Sequence, residues 1–263
     1  VYKRQPWGCG IGQKRTNICA KFARLLKSST LQVVVTESYR LKLIKEFGLD
    51  PNTVRTIYFT FEGDPAEHDI ISPQDMKWRV VYTGSLRGGR SLKPLLYALK
   101  EALAREPQLE ENLNVEIAGV GLDETEQLVK KLLLQRFVHI YGYLSPERAE
   151  KLSKIANVLV VVQTPEAARF QIPGKIYFEC MRFNKPTLAI MPLECEAAII
   201  LRRSGLGLIH SPEDIGGIAD SLIKLWSDWR AGHCPVQMDR DYVVQFSAKQ
   251  LPQKLYSALK SLP

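Results

Sequence analysis

Ile172-Pro173-Gly174-Lys175-Ile176-Tyr177-Phe178-Glu179-Cys180-Met181, followed by Lys185-Pro186-Thr187-Leu188-Ala189-Ile190, is the stretch on which the reading of this chain turns. Gly174 opens a short helix expected over residues 175–183, with Lys175 and Glu179 one turn apart on it. Pro186 then leads into a buried apolar strand. A helix N-terminus attracts phosphate because its first N–H groups lack partners and the helix dipole favours negative charge. A carboxylate one turn further on accepts hydrogen bonds from a ribose diol. Together these residues read as half of a nucleotide-sugar pocket.

Around this stretch, short apolar runs alternate with helical patterns. Strands are expected at 78–83, 113–118, 137–141, 158–163, 187–191 and 206–209. Helices are expected at 91–105, 123–135, 146–155, 175–183, 194–204 and 212–226. Continuous apolar strands separated by helices indicate an α/β fold, a Rossmann-like parallel sheet with helices on both faces. Three strands close in glycine at what such a sheet makes one edge. The first runs into Thr83-Gly84-Ser85-Leu86-Arg87-Gly88-Gly89-Arg90, the second into Gly119-Val120-Gly121 and the third into Gly142-Tyr143. Glycines let a backbone approach a ligand, and Arg87 and Arg90 suit phosphate oxygens. The spacing is not that of a dinucleotide-binding fingerprint, and a plain loop is the alternative. Tyr143 is a rim aromatic or a platform for a base, Lys175 a phosphate ligand or a surface lysine, and Glu196 a helix-start acid or a contact.

The N-terminal part is different. Residues 1–45 carry ten Lys/Arg and one acid, Glu37, a balance of +9 against +8 for the whole chain, so the remainder sums to −1. The basic character therefore belongs to one segment and does not imply nucleic-acid binding. Residues 13–27 read as an amphipathic helix with Ile18, Phe22, Leu25 and Leu26 on one face and Lys14, Lys21, Arg24 and Lys27 on another. That face either packs inward or meets an anionic membrane surface. Strands are expected at 31–36 and 54–59, and a helix capped by Ser38 and stopped by Gly48 lies between them. Residues 62–74 read as a linker, and residues 242–262 as a final helix. Val1-Tyr2-Lys3-Arg4-Gln5 resembles translated sequencing-adaptor sequence, and the chain is expected to lack part of its natural N-terminus.

No apolar run reaches the ~20 residues of a membrane span. The five cysteines (Cys9, Cys19, Cys180, Cys195, Cys234) lack CxxC spacing and fit free thiols in a cytosolic protein. His68, His139, His210 and His233 are scattered, so no metal site is expected from the protein alone.

In order and motif, VVYTGSLRGGRSLKPLLYAL, VEIAGVG, VHIYGYLS, ANVLVVVQ, IPGKIYFECMRFNKPTLAI and CEAAIILRRSGLGLI resemble the C-terminal, donor-binding domain of the GT-B glycosyltransferases, in particular the retaining enzymes of family 4. Within residues 31–62, VVVTESYRLKLIKEFGLDPNTVRTIYFTFE resembles the end of their N-terminal domain. The resemblance implies a truncated N-terminal α/β acceptor domain and linker over 1–74, a donor-binding domain over 75–238, and over 239–263 a helix returning to the N-terminal domain. It places Gly84, Arg87, Arg90 and Lys175 at the donor diphosphate. It places Glu179, Tyr143 and Gly119 at the nucleoside, and Gln171 and Gly174 at the sugar. Three positions depart from the family pattern. Ser85 stands at the place of an arginine, Gln171 at the first glutamate of the Glu-x7-Glu motif, and Phe59-Thr60 at the usual Asn-Gly.

The implied activity is sugar transfer from a nucleoside diphosphate to a carbohydrate or lipid-linked acceptor at the cytosolic face of a membrane, in surface polysaccharide or glycolipid synthesis. The resemblance implies no cofactor and no metal. It puts the catalytic groups mostly in the N-terminal domain, so this chain alone is expected to bind donor without transferring sugar. The rival readings are a nucleotide-sugar epimerase and a non-catalytic nucleotide-sugar-binding module.

Overall fold

The computed structural model describes residues 17–66 and 77–260, with side chains from Lys21 onward. The chain divides into two compact units. One takes the chain up to Tyr58 together with the stretch from Pro252 on, and the other is Phe59–Leu251.

In the first unit α1 (Asn17–Ser28), β1 (Gln32–Val34), α2 (Glu37–Phe47) and β2 (Val54–Thr56) follow in order, and β1 pairs with β2 in parallel. Val34, Leu43, Leu49 and Val54 form a small core on which Leu26, Tyr39, Ile44 and Phe47 pack. The start of α2 corrects the sequence reading. Thr36, not Ser38, is the cap, its side chain accepting from Tyr39 N at 3.1 Å. Gly48 ends the helix as expected, at φ +61°. Along α1, Phe22 meets Phe47 edge-on at 5.9 Å, while Leu25, on the same face, is 64% exposed. Residues 13–16 of the expected helix lie outside the described residues.

The second unit contains β3 (Trp78–Ser85), α3 (Lys93–Arg105), β4 (Leu113–Val120), α4 (Asp123–Lys131), β5 (Val138–Gly142), α5 (Pro146–Lys154) and β6 (Val158–Val162). After them come α6 (Pro165–Ala168), a π-helical segment (Ile176–Met181), β7 (Thr187–Ile190), α7 (Glu196–Arg203), β8 (Gly207–His210), α8 (Ile215–Arg230) and α9 (Arg240–Val243). The six strands are all parallel, in the order β5-β4-β3-β6-β7-β8. Counting from the first strand of this unit, that is the doubly wound order of a nucleotide-binding sheet, with its topological switch point between β3 and β6.

Alternation along the strands assigns the two faces. Trp78, Val80 and Tyr82 of β3, Val115 and Ile117 of β4, and Val158, Val160 and Val162 of β6 join one continuous core. Helices α3 and α8 cover it with Leu95, Leu96, Leu99, Ile218, Leu222 and Trp226. The residues between them, Arg79, Val81 and Thr83 on β3 and Glu116 and Ala118 on β4, belong to the opposite face, where α5 lies against β3. Full burial of each of those leucines contributes about 1.5–3 kcal/mol, and the opposite face, with Val81, Leu159, Val161 and Ala189 also buried, carries polar groups beside them.

Helix starts are set locally. Ser145 caps α5 and Thr164 caps α6, each just before a proline, and Asp214 caps α8. Besides the π-helical segment before β7, two expected helices come out differently. The one expected at 123–135 stops at Lys131, and Leu133 follows at φ +60°. The final helix expected over 242–262 is broken into α9, two 3-10 turns (Val244–Phe246 and Ala248–Gln250) and α10 (Leu251–Lys260). The break is at Ser247, whose backbone is extended (ψ 141°) because the chain there pairs with residues 61–63. Ala248 N donates to Phe61 O at 2.8 Å and Ser247 Oγ to Gly63 O at 2.9 Å. Residues 67–74 of the expected linker and 261–262 of the expected helix lie outside the described residues.

Candidate functional site

The C-terminal ends of β3 and β6 and the segment before β7 bring together residues that the sequence holds far apart. Thr83 is their centre. Its hydroxyl donates to the Glu179 carboxylate, 3.0 Å from Oε1 and 2.8 Å from Oε2. Its carbonyl accepts from Lys175 Nζ. The fully buried Ser153 of α5 donates from Oγ to Glu179 Oε2 at 2.9 Å. Lys175 and Glu179, one turn apart, are thus both tied to the end of the central strand.

The turn carrying them is not the regular helix expected over 175–183. It is a π-helix, in which Ile176 N and Tyr177 N already donate to Pro173 O and Gly174 O, both at 3.0 Å, and Phe178 N also donates to Gly174 O. Those three N–H groups are therefore not free for an anion. Gly174 has a packing reason to be glycine, because an added Cβ would stand 2.9 Å from the Phe178 ring.

Lys175 Nζ also lies 4.1 Å from the centroid of the Tyr82 ring. Burial pushes the Lys175 ammonium below its ordinary lysine value, and the neighbouring Glu179 charge opposes that shift. Burial likewise pushes the Tyr82 phenol up, against the pull of Arg90. The ammonium sits directly under Gly84. A Cβ there would be 3.2 Å from Nζ, and φ is +137°, which a side chain rarely tolerates. Gly119 is paired with Gly84 across the two strands, and a Cβ on it would overlap the Gly84 carbonyl. Its glycine thus keeps the two strand ends together.

Arg90 forms a second cluster at the switch point. Its Nε donates to Gln163 Oε1 at 3.0 Å, its Nη1 to Arg87 O at 3.3 Å, and its Nη2 lies 3.5 Å from Gln171 Oε1. Gln163 Nε2 in turn donates to Gln171 O at 3.3 Å. All these acceptors are neutral oxygens. Arg87 is exposed on the loop after β3, and Ser85 Oγ orders that loop by accepting from Arg87 N at 3.2 Å. Tyr143 follows β5 at the outer side of the sheet and is 74% exposed, with no polar contact to either cluster. Glu196 is in the first turn of α7.

Sequence reasoning missed Thr83, Ser153 and Gln163. Gln163 had a signal, since it is the polar residue that closes the apolar run of β6. Thr83 had a weaker one, as the last position before Gly84 on the face away from the main core. Ser153 had none, because a serine near the end of a helix looks like any other. Among the described residues no group of three His, Cys, Asp or Glu side chains could hold a metal ion, and no helix is long and apolar enough to cross a membrane.

No protein-family model matches the chain, and no curated protein does. Solved structures match in fold. A mutant of Staphylococcus aureus TarM in complex with fondaparinux, α-GlcNAc-glycerol and UDP is 13% identical, with a TM-score of 0.63 over 92% of this chain. The pneumococcal O-GlcNAc transferase GtfA in complex with UDP and GlcNAc is 12% identical, with a TM-score of 0.63 over 92%. HepE of Anabaena in complex with UDP-glucose is 17% identical, with a TM-score of 0.68 over 92%. The chain spans 46% of TarM, 47% of GtfA and 67% of HepE. At these identities the likeness is one of fold alone, the doubly wound α/β fold also seen in these structures.

Proposed function

We propose that this chain binds the donor of a glycosyltransferase that moves a sugar from a nucleoside diphosphate to a carbohydrate or lipid-linked acceptor. The single observation that carries this reading is the convergence of Lys175, Glu179 and Gly84 on Thr83, at the carboxyl end of the central strand of a doubly wound sheet. Open parallel sheets take their ligands at that point. Glu179 offers acceptors to the ribose diol. Arg87, Arg90 and Lys175 supply three positive charges against the diphosphate. Gln171 and Gly174 adjoin the sugar, and Tyr143 and Gly119 the nucleoside. The complexes of HepE, TarM and GtfA with UDP or UDP-glucose support the choice of ligand class.

In such a reaction these residues position the donor and stabilise the charge that grows on the leaving diphosphate, with no metal or cofactor called for. The group that acts on the acceptor is not among the residues named. The reading places the protein in surface polysaccharide or glycolipid synthesis on the cytosolic side. There α1, with Lys21, Arg24 and Lys27 exposed, would meet anionic lipid.

Calorimetry of the chain with UDP and GDP is the test. Glu179→Ala should weaken binding by about 1.5–3 kcal/mol, the scale of a hydrogen bond to a charged group. Equal affinity of parent and variant would reduce Glu179 to a structural acid. A second reading, a nucleotide-sugar-binding module without turnover, is favoured by the neutral Gln171 standing beside Arg90. Turnover by the full-length protein would eliminate it.

A further inference from the structure

We infer that Thr83 and Ser153 are positioning residues that fix the Glu179 carboxylate for a ribose diol, so that the site selects ribonucleotides over deoxyribonucleotides. The inference rests on the donor-site reading and adds to it two residues and a selectivity.

The geometry is asymmetric. Thr83 Oγ1 lies 2.8 Å from Glu179 Oε2 and 3.0 Å from Oε1, but a hydroxyl has one proton to give. Ser153 Oγ donates to Oε2 at 2.9 Å. Two donors therefore converge on Oε2, while Oε1 keeps acceptor capacity. An ionised carboxylate is an acceptor only, with about four lone-pair sites, so a diol still finds room. Thr83 is 5% exposed and Ser153 is fully buried, which shields both hydroxyls from competing water. Lys175 Nζ, one turn before Glu179, is turned to the Thr83 carbonyl and makes no hydrogen bond to the carboxylate. The carboxylate is thus oriented by two neutral hydroxyls, while the Lys175 ammonium acts on it through charge alone and takes up none of its acceptor sites. Holding a flexible side chain in one rotamer beforehand lowers the entropy lost on binding.

The test compares four proteins, the 263-residue chain and its Thr83→Val, Thr83→Ser and Ser153→Ala variants, by calorimetry against UDP, 2′,3′-dideoxy-UDP and inorganic pyrophosphate. The parent should prefer UDP to the dideoxy analogue. Thr83→Val and Ser153→Ala should each lose about tenfold in UDP affinity while dideoxy-UDP and pyrophosphate binding stays within about twofold. Thr83→Ser, which keeps the hydroxyl, should bind as the parent does. Variants that retain full UDP affinity overturn the proposal alone. So do variants that lose all three ligands in parallel, since that marks damage to the fold. A parent that binds no nucleotide overturns the donor-site reading and this proposal together.

Discussion

Glu116 and Glu179 are held against the same face of the six-stranded sheet, one in the middle of β4 and one at the end of β3. Glu116 is buried. It accepts from Tyr141 Oη at 2.8 Å through Oε1 and has Arg79 Nε 3.9 Å from Oε2. Glu179 is half-buried and held by two hydroxyls, while the nearby ammonium is occupied by a carbonyl. The difference lies in what each carboxylate has left to offer. An acid flanked by its own cation contributes to the fold. An acid oriented by neutral donors at a strand end keeps acceptors for something else.

The sharpest way to break this comparison is at the backbone of the strand end. Gly119→Ala drives a methyl group into the Gly84 carbonyl at φ +150°, and should cost about 3 kcal/mol of stability. Because Gly84 follows Thr83, nucleotide affinity should fall with it. Urea unfolding and calorimetry on the same sample would register both, and an unchanged midpoint would mean that the two strand ends are not locked together.

Exchanging the roles of the two acids comes next in size. Glu116→Ala takes the acceptor from the Tyr141 hydroxyl and the counter-charge from beside Arg79, and should lower stability by about 2 kcal/mol, with UDP affinity unchanged. Glu179→Ala should do the reverse in the larger part, weakening UDP far more than it weakens the fold. A loss of UDP binding in the Glu116 variant would dissolve the distinction.

The smallest effect separates the acids by their neighbouring cations. Lys175 titrates from a value below the ordinary 10.5, because burial disfavours its ammonium. Between that lowered value and 10.5 the unfolded chain binds more protons than the folded one, so stability should rise with pH across the window. Diphosphate affinity should fall a few-fold over the same interval as the ammonium is lost. Lys175→Met should flatten both slopes, and slopes that persist in that variant would assign them to other groups.

Much of the sheet was legible in the residues. The six apolar runs end within two residues of the observed strands, because a strand buried on both faces leaves an uninterrupted signal. Lys175, Glu179 and the Gly84 loop stood out because glycine and charge at a strand or helix end have few structural uses. The rest depended on contacts between distant parts of the chain. Ser153 and Thr83 are separated from Glu179 by 26 and 96 positions, and no local pattern reports a hydroxyl that points at a carboxylate. The final helix looked continuous because the helical propensity of residues 242–262 is local, whereas the pairing of Ser247 with residues 61–63 that interrupts it is not. Thr36 and Ser38 are equally good caps in sequence, and only the backbone angles choose Thr36.

The π-helical segment Ile176–Met181 also changes how this region tolerates length variation. A π turn holds about one residue more than an α turn and is commonly an insertion within a helix. Removing one residue between Lys175 and Glu179 would let the segment relax to α geometry, where each residue turns the chain by about 100°. The deletion would act as a rotation, swinging one of the two charged side chains off the line they share on Thr83. Insertions and deletions here are therefore edits to the site's angular alignment, and a homologue that shortens this turn by one residue would need to rebuild the pair from other positions.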